Sequence, residues 1–142
     1  MSIWFTKPDL DIINAFGKNT LVSHIDIRFI EIGDDFIKAT MPVDNRTHQP
    51  MGILHGGASV VLSETLASTG AYLCVDPSVN YCVGLEINAN HIRSMRTGLV
   101  TGFAKPAHLG RTTQIWEVKI TDEQDRLICI SRVTMAVLTH AK

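Results

Sequence analysis

At 142 residues and 45% hydrophobic content, the chain has the size of one soluble domain with a real core, and a formal net charge of −1 leaves no electrostatic footprint for nucleic acid or a membrane surface. Three cysteines (Cys74, Cys82, Cys129), an odd number without CxxC spacing, argue against a disulfide framework or a zinc site and fit a reducing cytoplasm.

The opening MSIWFTKPDLDII shows no basic n-region ahead of an apolar one, so no signal peptide is visible and a cytoplasmic location is expected. Thr6-Lys7-Pro8-Asp9 is a helix-start signal, with Leu10, Ile13 and Ala15-Phe16 on the apolar side of a short helix ending at Gly17. Ile25–Ile32 and Phe36–Met41 read as strands of a hairpin around Gly33-Asp34-Asp35. A loop with two prolines runs from Pro42 to Gly52, and a long helix is expected from about Gly57 to Leu73.

Four strands follow. Tyr81–Asn90 and Leu99–Lys105 are separated by a turn through Ser94–Gly98, and a turn through Pro106–Gly110 leads to Thr113–Thr121. That strand alternates, with Ile115, Glu117 and Lys119 on one face and Trp116, Val118 and Ile120 on the other. Asp122–Asp125 turns the chain into Leu127–Leu138. Short turns between neighbours predict an antiparallel sheet, and a helix apolar nearly all round predicts that the sheet curls around it. The expected fold is α+β, one domain over residues 1–142, with an uncovered strand edge that favours a homo-oligomer.

From Thr47 to Val75 the only Asp, Glu, Lys or Arg is Glu64. A carboxylate among small and apolar neighbours costs several kcal/mol unless it is paired, which makes it either a satisfied core residue or a reacting group. Upstream lies His55-Gly56-Gly57 at the helix start. Helix-start N–H groups carry partial positive charge, and glycine lets a carbonyl approach them, so the pair could stabilise an oxyanion or simply form a tight turn. In serine proteases one such donor is worth roughly 3–4 kcal/mol. Glu64 would serve as general base or as nucleophile. Its offset from Gly57 is roughly 10 Å along the helix axis, so the helix start of one chain would meet Glu64 of a second, antiparallel chain. Ser68, one turn on, could hold the carboxylate or a water, or merely pack, and Gln49 could donate its amide to the substrate carbonyl. Arg93, Arg96, Lys105 and Arg111 would form a phosphate patch if their turns lie on one side. GxSxG, HExxH, Walker-type and GxGxxG patterns are absent.

The stretch ATMPVDNRTHQPMGILHGGASVVLSETLAS, from Ala39 to Ser68, resembles the signature loop and helix of hotdog-fold acyl-CoA thioesterases that place glutamate on the central helix. VGLEINANHIRS (Val83 to Ser94) and KPAHLGR resemble most the branches acting on aromatic thioesters, one hydrolysing 1,4-dihydroxy-2-naphthoyl-CoA and the other proofreading aryl-carrier proteins. The resemblance implies a hotdog fold, hydrolysis of an aromatic acyl-CoA and no metal or other cofactor. It implies Glu64 as nucleophile or base, Gly56 as oxyanion donor, Gln49 and His55 as positioning groups, and Ser68 as a contact for the hydrolytic water. It further implies that Gly84, the run His91, Ile92, Arg93, Ser94, and the run His108, Leu109, Gly110, Arg111, Thr112, Thr113 line the coenzyme A arm, in a dimer or dimer of dimers. Met51 departs from the aromatic common at its position. A carrier-protein proofreader and a non-catalytic acyl-CoA-binding module stand as alternatives.

Overall fold

A computed structural model describes residues 1–142. Helix α1 (Leu10–Phe16) starts where expected, because the Asp9 carboxylate accepts from the N–H groups of Asp11 (2.9 Å) and Ile12 (3.1 Å). Asn14 ties it to the sheet, donating to the Phe29 carbonyl (3.0 Å) and accepting from the Phe29 N–H (2.9 Å). A single helical turn, α2 (Leu21–His24), follows under a Thr20 cap.

Strands β1 (Arg28–Ile32) and β2 (Ile37–Val43) form the expected hairpin. The first is shorter than read: Ile25 and Ile27 are buried, but Asp26 between them turns at φ 57°, which breaks an extended chain. Ile37, Ala39, Met41 and Val43 all point into the core, so β2 runs past Met41 and through Pro42.

The long helix α3 (Gly56–Leu73) lies across the sheet formed by β2, β3 (Asn80–His91), β4 (Gly98–Leu109), β5 (Thr113–Thr121) and β6 (Leu127–Thr139). The strand order is β1-β2-β4-β5-β6-β3, and every pairing is antiparallel. The helix packs closely because Gly70 presents no side chain to the Trp116 ring, where a Cβ would sit 2.5 Å from Cη2. Trp116 is itself fixed: its indole N–H donates to Gln114 Oε1 (2.9 Å), and Trp4 stacks on it at 6.3 Å between centroids.

The turn expected at Pro106–Gly110 lies later, at Gly110–Thr112, and His108 and Leu109 belong to β4. Proline is tolerated there for two reasons. Pairing with β2 ends at Ala104, and a bulge separates Pro106 from His108. On the far side β3 pairs only with β6, so it is an edge of twelve residues exposing Tyr81, Val83 and Leu85. No helix is long and apolar enough to cross a membrane.

Candidate active site

The start of α3 is built around His55. Its N–H donates to the Thr47 carbonyl (2.8 Å), and its Nδ1 accepts from the Gly57 N–H (2.8 Å), capping the helix. The Gly57 donor is therefore consumed, whereas the Gly56 N–H meets no acceptor within the chain. Gly56 is bare for a reason: a Cβ there would lie 2.7 Å from Nε2 of His91, whose ring stands over the helix start. The Gln49 loop closes through Gln49 N–H to the Ile53 carbonyl and Gly52 N–H to the Gln49 carbonyl, both 2.9 Å, and Gln49 Oε1 accepts from the Met51 N–H. Gln49, Gly56, His91, Ile92, Arg93 and Ser94 share the walls of one cavity of about 280 Å³.

Glu64 is elsewhere. Its side chain is half-buried and makes no hydrogen bond or ion pair within the chain, and Oε1 lies against Gly84 of β3. Ser68 follows one turn later with Oγ 4.0 Å from Met135 Sδ, too long to bind the hydroxyl firmly. It opens onto an apolar groove of about 530 Å³ walled by Ile12, Ile13, Phe16, Tyr72 and Leu73. In the sheet Gly84 faces Met135, Thr113 faces Ala136, and the Val137 N–H donates to the Thr112 carbonyl (2.9 Å). Leu109 faces Gln114, which in turn faces Met135, so His108 to Thr113 come to the same end of the sheet as Glu64.

The two groups of residues therefore lie apart within the chain. The Ile92 and Arg93 N–H groups donate to the Ile128 carbonyl, while Thr112 is held at Val137. Nine residues of strand separate those anchors, about 30 Å. From Gly56 to Glu64 the offset along the helix axis is about 12 Å. A carbonyl held at Gly56 is out of reach of the carboxylate on the same helix. The four basic residues form no single patch: Arg93 and Arg111 sit at opposite ends, and Lys105 is paired with Asp35 at 2.7 Å.

Thiol chemistry finds no support. Burial, with Cys82 nearby, pushes the Cys74 thiol up to about 12, and burial raises Cys82 and Cys129 as well. No three His, Cys, Asp or Glu side chains gather as a metal site would need. Two residues went unread in the sequence. Thr47 anchors His55, and Tyr72 extends the Glu64–Ser68 face by another turn, an i, i+4, i+8 pattern that could have revealed it.

Comparison with known proteins decides the family. Residues 51–129 match the thioesterase superfamily. The chain belongs to that superfamily. It is 54% identical over 136 residues to the 1,4-dihydroxy-2-naphthoyl-CoA hydrolase of Escherichia coli, covering 96% of this chain and 99% of that protein. It is 48% identical over 136 residues to the proofreading thioesterase EntH of Cronobacter turicensis, covering 96% and 98%. The crystal structure of a mutant Pseudomonas aeruginosa thioesterase, PA1618, superposes with a TM-score of 0.97 at 51% identity, covering 98% of this chain and all of that one. The protein is a thioester hydrolase with the hotdog fold, a six-stranded antiparallel sheet around one long helix. In this thioesterase the Gly56 N–H is left without an acceptor and the Glu64 carboxylate without a partner, and the helix keeps the two apart within the chain.

Proposed function

We propose that the chain hydrolyses an aromatic acyl-CoA, with 1,4-dihydroxy-2-naphthoyl-CoA the favoured substrate, at a site shared by two antiparallel chains of a homodimer or dimer of dimers. The observation that carries this reading is the pair of unpartnered groups: a free N–H at a helix start and a half-buried carboxylate about 12 Å further along the same helix. Antiparallel α3 helices would place Gly56 of one chain opposite the partner's Glu64.

In that arrangement the thioester carbonyl accepts from the Gly56 N–H, with Gln49 and His55 fixing its approach. The partner's Glu64 then either attacks the carbonyl carbon to give an anhydride that water opens, or takes a proton from water as the water oxygen bonds to that carbon. In both routes the C–S bond breaks and the coenzyme A thiolate leaves, to be protonated from solvent. The apolar groove beside Ser68, about 530 Å³, lies in the size range of small-molecule sites and suits a bicyclic ring. Pairing opposite halves also unites Arg93 with the partner's Arg111 for the phosphates, and Gly84 and His108 to Thr113 fall along the coenzyme A arm. No cofactor is called for. A coenzyme A substrate fits a cytoplasmic location.

The EntH relative supports a second reading, proofreading of aryl-carrier proteins. A panel of acyl-CoA and acyl-carrier-protein thioesters, compared by kcat/KM with free thiol as readout, separates the two. The expected result is a preference of at least about tenfold for the aromatic acyl-CoA over the same acyl group on a carrier protein. The reverse order would assign the proofreading role.

A further inference from the structure

Gly84 occupies an interior position of strand β3, where glycine weakens a strand and gains nothing from its conformational freedom. The positive-φ glycines of this chain are Gly52 and Gly98, so the backbone at Gly84 does not require the residue. Nor does core packing: Gly70 and Gly102 make room for Trp116 and for Leu66, whereas a Cβ built at Gly84 would meet nothing within 4 Å except Glu64. It would overlap Oε1 of that carboxylate and lie 3.5 Å from Cδ. No hydrogen bond or ion pair within the chain holds Glu64, so its contact with β3 at Gly84 bears directly on where the carboxylate lies.

We propose that Gly84 is a positioning residue for the hydrolysis: its missing side chain is the space that holds the Glu64 carboxylate at the height where it reaches a thioester. The inference rests on Glu64 being the reacting carboxylate. A methyl at position 84 displaces the flexible tip of Glu64 and meets no other group of its own chain, since Glu64 is the one residue within 4 Å of the added carbon. The fold therefore tolerates the change while the chemistry does not.

The test is Gly84→Ala, made with Glu64 intact and again in a Glu64→Asp background. With Glu64 present, the methyl should lower kcat by about ten- to a hundredfold, the scale of a 1 Å misplacement, and by clearly more than it raises KM. The thermal midpoint should be no lower than the parent's, since Ala replaces a glycine inside a strand, and the oligomeric state should match. With the shorter Asp at position 64, which does not reach the methyl, the same substitution should change kcat by less than about threefold, so the two positions couple. An unchanged kcat in Gly84→Ala overturns the inference, as does an equal loss in both backgrounds. So does a variant that fails to fold or assemble, because the methyl would then be meeting something other than the carboxylate. Glu64→Gln measured alongside distinguishes the two failures. If Glu64→Gln is inactive and Gly84→Ala is fully active, only the positioning role is wrong; if Glu64→Gln is active, the reading of Glu64 is wrong as well.

Discussion

Glu64 stands half-buried on α3 without a cation or a donor from its own chain to stabilise its charge. A structural glutamate in such a place would normally be paired, because an unpaired buried charge is costly. Under the proposed function the carboxylate stays free for the thioester. Glu64→Gln keeps the shape and removes the basic oxygen, so kcat should fall by roughly 10²–10⁴-fold, the range for a lost base, while KM stays close to wild type and the thermal midpoint does not fall, because an unpaired charge is removed. Steady-state kinetics paired with calorimetry check this, and a variant that turns over at near the parent rate would make Glu64 a structural residue. His55 illustrates the opposite economy. Its ring nitrogen is occupied in capping the helix at Gly57, which leaves the neighbouring Gly56 N–H as the free donor.

Among the elements, the contact between α3 and the sheet is the most tightly built. Gly70 faces the Trp116 ring, which is held by Gln114 on one side and by Trp4 stacking on the other, so the ring cannot retreat from an added methyl. Gly70→Ala gains about 0.5–1 kcal/mol of helix propensity and loses about 1–3 kcal/mol to overpacking, so the denaturant midpoint should fall. A raised midpoint in urea would show that the interface has slack. These elements were unevenly legible. The alternation of Trp116, Val118 and Ile120 with Ile115, Glu117 and Lys119 reads directly as a strand, because one face meets the core and the other meets water. The glycine pair and the uncharged run marked α3 to within one residue of its start. Helix α2 is a single turn, too short to show a period, and β4 continues through Pro106 only because β2 has already ended beside it. The offset between Gly56 and Glu64 could be read from helix rise alone. The meeting of Glu64 with Gly84 could not, because it depends on β3 crossing to the far edge beside β6, an arrangement no local pattern encodes.

At the scale of the molecule, the proposed sharing of the site between two chains calls for an interface, and the open edge of the sheet offers one. Strand β3 exposes Val83 and the bulged Leu85, the latter 63% accessible, along an edge that pairs with nothing in its own chain. Long apolar edges of this kind invite a second copy. A two-fold axis there would make the interface self-complementary and would set the two α3 helices antiparallel. Each assembled site would then draw Gly56, Gln49 and His91 from one chain, with the partner's Glu64 and the partner's Ser68. The measurement that bears most directly on this account is complementation between two inactive chains, Glu64→Gln and Gln49→Ala, co-expressed with different tags and purified as mixtures of known composition. Each variant alone should be almost inactive. An equal statistical mixture places half of the dimers as heterodimers, each with one intact site, so about a quarter of wild-type activity should return. Activity that stays at the level of the separate variants in a verified heterodimer would show that a single chain supplies the whole site, and would contradict the account.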